Sequence, residues 1–104
     1  MDTFGLSPRV TSIVHQVLAE FPAVEKAVIY GSRAKGTHKP GSDIDLTLFG
    51  EDLTSDILRQ ISSRLDEAPI PHTVDLSLYA QLDHENLREH INRAGRPFYT
   101  RQQP

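Results

Sequence analysis

The chain has 104 residues and a formal net charge of −3, which fits one domain and argues against a stand-alone protein that binds nucleic acid through a basic face. It contains no cysteine, so disulfides and thiolate metal sites are excluded. No apolar run approaches the roughly 20 residues of a membrane-spanning helix. The first residues lack the basic-then-apolar pattern of a secretion signal. We therefore expect a cytoplasmic protein with no membrane partner.

The first half of the chain alternates helical and strand patterns. Ser7 is a favourable N-cap for a helix that carries apolar residues at helical spacing, and Pro22 ends it. Residues 24–30 are few and rich in β-forming side chains, which predicts a strand that Gly31 ends. Residues 32–35 then fit a single helical turn.

Two more strands are predicted on either side of a helix. Residues 43–49 alternate polar and apolar side chains, which is typical of a strand with one face turned to the core. A helix capped near Thr54 follows. Residues 73–79 alternate in the same way and predict the third strand.

The last helix is predicted to be capped by Asp83 and ended by Gly95 as its C′ residue. Residues 97–100 are then expected to add a short edge strand. The sequence shows no repeat and no linker, so we interpret residues 1–104 as a single α/β domain.

Three aspartates are predicted on the polar faces of the second and third strands. Asp43 and Asp45 lie one residue apart, so their side chains point the same way, roughly 6–7 Å apart at Cα. Two carboxylates this close repel one another unless a cation lies between them. Asp75 occupies a polar position of the third strand, and it would join the pair if the two strands are neighbours. Three carboxylates of this kind suit two Mg²⁺ ions and phosphoryl transfer.

A basic turn precedes these acids. Gly31 allows the backbone to approach a ligand closely, and a helical turn that begins at Ser32 would direct N–H groups at an anion. Arg33, Lys35 and Lys39 add positive charge without an intervening acid. The simplest reading of such a run is a solvated loop. The neighbouring aspartates favour a triphosphate site instead.

The order of these residues resembles a known signature. Gly31-Ser32, ten further residues and Asp43-Ile44-Asp45 match the pattern of the polymerase-β-like nucleotidyltransferase superfamily. The longer string GSRAKGTHKPGSDIDL, residues 31–46, is similar to the minimal nucleotidyltransferase (MNT) subgroup. Asp75 is the candidate for the third acid. The resemblance covers roughly residues 10–100.

The resemblance implies a mixed β-sheet with helices packed mainly on one face, the polymerase-β-like palm. It also implies Mg²⁺-dependent transfer of AMP from ATP to a hydroxyl, with release of pyrophosphate. Asp43, Asp45 and Asp75 would be the catalytic and metal-binding residues. Gly31 and Ser32 would hold the triphosphate, with Arg33 and Lys35 as further nucleotide-binding candidates.

Proteins of the MNT subgroup commonly accompany an all-helical HEPN ribonuclease toxin. The resemblance therefore implies an antitoxin that adenylylates and neutralises a HEPN partner. Larger relatives carry extra domains that bind the acceptor, whereas a chain of 104 residues leaves no room for one. The acceptor hydroxyl is accordingly expected to come from a separate protein.

Two alternatives remain open. The same domain, without significant turnover, would be a binding module that neutralises its partner by contact. With turnover, the acceptor of the nucleotidyl group would be a small molecule instead of a protein.

Three further side chains are candidates for the border of the site. Tyr30 directly precedes Gly31 and is a candidate neighbour of the nucleotide. His38 and His72 would lie near the site if their loops fold inward. The histidines of the chain show no zinc-binding spacing.

Overall fold

The computed structural model describes residues 4–36 and 43–101. The α-helices and strands in these ranges are, in chain order, α1 (Pro8–Ala19), β1 (Lys26–Tyr30), α2 (Ser32–Lys35), β2 (Ile44–Phe49), α3 (Ser55–Glu67), β3 (Val74–Leu78), α4 (Glu85–Ala94) and β4 (Arg96–Thr100). The strands form a four-stranded sheet in the order β3-β2-β1-β4. Strand β1 is antiparallel to both β2 and β4, whereas β2 and β3 are parallel. The predicted order of elements is confirmed.

The caps of the longer helices explain where these helices begin. The Ser7 hydroxyl accepts a hydrogen bond from the Val10 amide at the start of α1, as predicted. Thr54 does the same for α3. The prediction for α4 was wrong by one residue, because His84 rather than Asp83 is the N-cap. The ring nitrogen Nδ1 of His84 accepts from the Leu87 amide at 3.3 Å, which replaces the carboxylate cap.

Gly95 ends α4 as predicted, but for a different physical reason. Its backbone is extended, with φ −68° and ψ 151°, whereas a C′ glycine commonly has a left-handed conformation. A Cβ at this position would lie 2.6 Å from Val28 Cγ1 and 2.4 Å from the Ile91 carbonyl oxygen. Glycine is therefore needed for the close approach of α4 to the sheet.

The hydrophobic core lies on one face of the sheet, beneath α1 and α3. Alternate residues of each strand point into it, as the period of 2 requires. The fully buried or nearly buried core residues of these elements are Val10, Val14, Val17, Leu18, Ala27, Ile29, Ile44, Leu46, Leu48, Ile61, Leu65 and Leu78. Phe98 on β4 is 7% exposed and belongs to the same core. Ile57 on α3 is only partly buried and packs against it.

The second face of the sheet carries the polar residues and is partly covered by α4. The His90 ring meets the Tyr30 ring edge to face, with centroids 6.5 Å apart. Gly95 approaches Val28 on the same face. We call this second face the open face. The predicted fold class, a mixed sheet with helices mainly on one face, is confirmed.

A buried hydroxyl on the open face provides a test of the packing. Thr47 is 0% exposed, and its Oγ1 has no hydrogen-bond partner within residues 4–36 and 43–101. A buried polar group without a partner costs about 1–3 kcal/mol. We expect Thr47→Val, which keeps the shape, to raise the free energy of unfolding by about 1 kcal/mol in urea denaturation. Exposed Thr73 is the control, and Thr73→Val should change it by less than about 0.5 kcal/mol. A loss of stability in Thr47→Val would show that the hydroxyl has a partner.

Some predicted features lie outside the described residues. His38 and Lys39 fall within residues 37–42. Elsewhere, the helices of the described ranges are all too short or too polar to cross a bilayer.

Candidate active site

The pairing of β2 with β3 brings two of the predicted acids together. Asp45 and Asp75 are direct register partners on these adjacent parallel strands. Tyr30 is the partner of Asp45 on β1. Register partners point to the same face of a sheet, so the three side chains share the open face at one end of the sheet. The condition for Asp75 to join the acids, that the third strand neighbours the second, is met.

Asp45 lies at the centre of the negative charge. Burial raises the pKa of its carboxyl, and the charges of Asp75 and Asp43 raise the pKa further. Its side chain is partly buried, whereas Asp43 and Asp75 are exposed. The folded chain therefore concentrates like charge on one half-buried group, an arrangement that is unfavourable without a cation.

Asp43, unlike Asp45 and Asp75, lies outside the strands of the sheet. Strand β2 begins at Ile44, one residue later than predicted, so Asp43 precedes the strand. No three carboxylate, histidine or cysteine side chains of the described ranges form a ready-made metal cluster. Mg²⁺ is usually held by one or two carboxylates together with substrate phosphates. Asp45 and Asp75, which are register partners on one face of the sheet, are the two carboxylates that could hold such an ion.

Gly31 lies against the central carboxylate. It adopts φ 77° and ψ −153°, a conformation that is essentially restricted to glycine. A Cβ here would lie 2.6 Å from Asp45 Oδ2. The turn between β1 and α2 thus passes directly over the carboxylate, and only glycine leaves room for it.

Ser32 and Lys35 are both on α2, which follows this turn. Ser32 is the first residue of α2, and its side chain is partly buried. Lys35 is exposed at the other end of α2. Both therefore lie on the element that follows the contact between Gly31 and Asp45, where the sequence predicts the nucleotide.

Arg33 is placed differently from the other basic candidates. It is only 2% exposed, and its Nη1 donates a hydrogen bond to the Phe4 carbonyl oxygen at 2.9 Å. Burial also lowers the pKa of its guanidinium. This burial argues against direct contact between Arg33 and a triphosphate. Arg33 instead ties α2 to the N-terminal segment of the chain.

His72 lies on the side of Arg33. Burial lowers the pKa of His72, and the charge of Arg33 lowers it further. His72 lies in the bend before β3, so the alternation of that strand does not determine where its side chain points.

Tyr30 belongs to the site more closely than its position before Gly31 indicated. Its side chain is half-buried, and burial raises the pKa of the phenol. A polar contact with Ser77 opposes that shift, while the charges of Asp45 and Asp75 add to it. His90 on α4, which packs on the Tyr30 ring, was missed, because no local signal places α4 over the open face.

Solved structures of similar fold include toxin–antitoxin pairs. A toxin–antitoxin structure with AMP-PNP has a TM-score of 0.71 and 22% identity, over 89% of this chain and 75% of that chain. A tri-AMPylated HEPN toxin of Shewanella oneidensis in complex with an MNT antitoxin gives 0.60 and 19%, over 91% and 73%. A Sulfolobus solfataricus protein described as a candidate nucleotidyltransferase gives 0.57 and 26%, over 89% and 79%. These likenesses establish the fold.

The sequence itself matches a protein family. A search of curated proteins finds no match. The family model described as "Polymerase beta, Nucleotidyltransferase" matches residues 13–104, which include the Gly-Ser turn and the three aspartates. The chain therefore belongs to the polymerase β nucleotidyltransferase family.

Proposed function

We propose that this protein transfers AMP from ATP to a hydroxyl of a partner protein, which is a HEPN ribonuclease toxin, and that it acts as the antitoxin. The observation that carries the proposal is the register pairing of Asp45 with Asp75, with Gly31 in contact range of the same carboxylate. Family membership supports nucleotidyl transfer in general. The acceptor class is our inference.

The site residues form two groups, one for the triphosphate and one for the metal. Gly31 and Ser32 hold the triphosphate through the turn and the first turn of α2, and exposed Lys35 adds positive charge. Asp43, Asp45 and Asp75 would hold Mg²⁺, as two ions. When bound, Mg²⁺ would supply positive charge that neutralises the phosphates.

The chemical step is a displacement at the α-phosphorus. The acceptor hydroxyl oxygen forms a bond to that phosphorus, and the bond to the bridging oxygen of pyrophosphate breaks. Pyrophosphate leaves with the electron pair of that bond. The hydroxyl proton passes to Asp75, which is exposed on the edge strand and can return the proton to water.

The partner assignment rests on the structural neighbours. One similar structure pairs an MNT antitoxin with a HEPN toxin that carries AMP groups. A separate protein of that kind would supply the acceptor hydroxyl here. Both proteins would then act in the cytoplasm.

The test is a transfer assay with intact-mass measurement. The purified protein is mixed with the product of its neighbouring gene, ATP and Mg²⁺. We expect the partner to gain the mass of one or more AMP units and pyrophosphate to appear in equal amount. Omission of Mg²⁺ or addition of EDTA should prevent the gain.

The alternatives predict different results in the same assay. Binding and inhibition of the partner without any gain in mass would support a module that acts by contact. Consumption of ATP with an AMP-modified small molecule, and an unmodified protein, would support a small-molecule acceptor.

A further inference from the structure

The two outer edges of the sheet differ in how they resist pairing with another strand. Strand β4 forms one edge and contains Pro97, exposed Arg96 and a register shift against Ala27 and Val28 of β1. Proline, a flanking charge and an irregular register all discourage the addition of a strand. This edge is protected.

The edge formed by β3 lacks the proline and the register shift. Residues Val74–Leu78 contain no proline and no basic residue, and their register with β2 is continuous from Val74 to Leu78. No other strand of the described ranges pairs with its outer side. The one charged residue of β3 is Asp75, the candidate catalytic acid. The unprotected edge is thus the edge that carries the chemistry.

The hydrogen bonding of β3 shows which backbone groups are available. The Ile44 amide donates to the Thr73 carbonyl oxygen at 2.9 Å. In a parallel ladder alternate residues direct both backbone groups to the same neighbour, so Thr73, Asp75 and Ser77 bond toward β2. The N–H and C=O groups of Val74 and Leu76 therefore face outward, together with those of Leu78.

The same edge leaves apolar surface partly uncovered. Val74 and Leu76 are only partly buried, although they point to the core face. Their register partners on β2, Ile44 and Leu46, are both 0% exposed. A strand added outside β3 would cover this apolar surface as β3 covers that of β2.

Charge decides between a second copy and another protein. Pairing of two β3 edges would bring two sets of Asp43, Asp45 and Asp75 together, in a chain that already carries a net charge of −3. Like charge disfavours that contact. A segment with lysine or arginine beside its hydroxyl residue is complementary instead.

We propose that the outer edge of β3 pairs with an extended, basic segment of the acceptor protein, which carries the accepting hydroxyl to the side of Asp75. Directly opposed residues of neighbouring strands share a face and lie about 4.5–5.5 Å apart at Cβ. On the side toward β1, the site is already bounded by Tyr30, whose ring contacts His90. This inference rests on the proposed function and specifies how its acceptor is recognised.

Amide hydrogen exchange measured by NMR tests the edge directly. In the protein alone, the amides of Asp75 and Ser77 should exchange slowly, and those of Val74, Leu76 and Leu78 quickly. With the product of the neighbouring gene in excess, we expect the exchange of these three amides to slow at least about tenfold. Unchanged rates in the mixture overturn the proposal, whether the added protein binds elsewhere or not at all. If the exchange of these amides slows as the concentration of the protein is raised without the partner, a second copy covers the edge, and this result also overturns the proposal.

A pair of variants separates the edge from the chemistry. Leu76→Pro removes the outward backbone N–H. Leu76→Ala keeps that N–H and loses at least as much side-chain packing. We expect partner affinity at least about tenfold weaker in Leu76→Pro than in Leu76→Ala; equal affinities would contradict the proposal. If Leu76→Pro does not fold, Val74→Pro and Val74→Ala replace the pair, because proline is tolerated at the first residue of a strand. Edge protection without AMP transfer would reject the proposed function alone, and transfer without edge protection would reject this inference alone.

Discussion

Asp45→Asn should abolish nucleotidyl transfer and at the same time make the folded protein more stable. The carboxyl of Asp45 is partly buried beside Asp75 and Asp43, and these surroundings raise its pKa. The asparagine amide has nearly the same shape as the carboxylate but no charge, so the variant loses the repulsion from Asp75 and Asp43. It also loses a metal ligand, and we expect the transfer rate to fall at least about 10²–10³-fold, as when one preorganised charge-stabilising group is removed.

The stability change should depend on pH in a defined direction. Because the folded-state pKa of Asp45 lies above the ordinary value of an aspartate, the folded protein binds the proton more tightly than the unfolded chain. The contribution of Asp45 to stability is therefore lost as pH rises through the folded-state pKa. Asp45→Asn lacks this loss, so its gain in Tm over the original protein should be largest at neutral pH and should shrink in acid.

Thermal unfolding with and without Mg²⁺ measures both effects. We expect a gain in Tm of a few degrees at pH 7, because about 1 kcal/mol shifts the Tm of a domain this size by roughly 4–8 °C. Mg²⁺ should raise the Tm of the original protein by mass action and leave that of the variant nearly unchanged. The control is Asp66→Asn, at an exposed position on α3, which should retain both transfer and the response to Mg²⁺. An unaltered response to Mg²⁺ in Asp45→Asn would contradict the assignment of Asp45 as a ligand.

The parts of the fold that depend on local sequence were predictable. Caps such as Ser7 and Thr54 fix helix starts through hydrogen bonds within four residues, and the alternation in residues 43–49 shows which face is buried. The pairing of Asp45 with Asp75 depended on strand order, for which the family resemblance supplied the expectation and the register the confirmation.

The side chains whose surroundings the sequence did not indicate depend on long-range packing. Arg33 reads as one more cation in a basic loop, yet its contact with the Phe4 carbonyl joins residues 29 positions apart. His90 reads as a surface residue of an amphipathic helix, and only the docking of α4 places it on Tyr30. A single sequence carries no periodic signal for either contact, because each depends on how separate elements pack.

Gly31→Ala should damage the active site far more than the same change at Gly36, although both glycines have φ 77°. At Gly36, which is left-handed with ψ 13°, a new Cβ meets nothing within 4 Å. The expected cost there is the backbone strain alone, about 1–2 kcal/mol. At Gly31 the strain of a glycine-only conformation, about 1–3 kcal/mol, adds to a Cβ placed 2.6 Å from Asp45 Oδ2.

That contact can be relieved only if the turn or the Asp45 carboxylate moves, and either movement separates the proposed triphosphate site from the metal ligands. A displacement of about 1 Å can reduce a catalytic rate about 10²-fold. We therefore expect Gly31→Ala to lose transfer by about that factor and to lower Tm, whereas Gly36→Ala lowers Tm but keeps most of the transfer rate. Parallel measurement of transfer rate and thermal unfolding for the two variants separates strain from displacement. Equal transfer rates in variants that remain folded would show that the close approach of Gly31 to Asp45 has no part in the reaction.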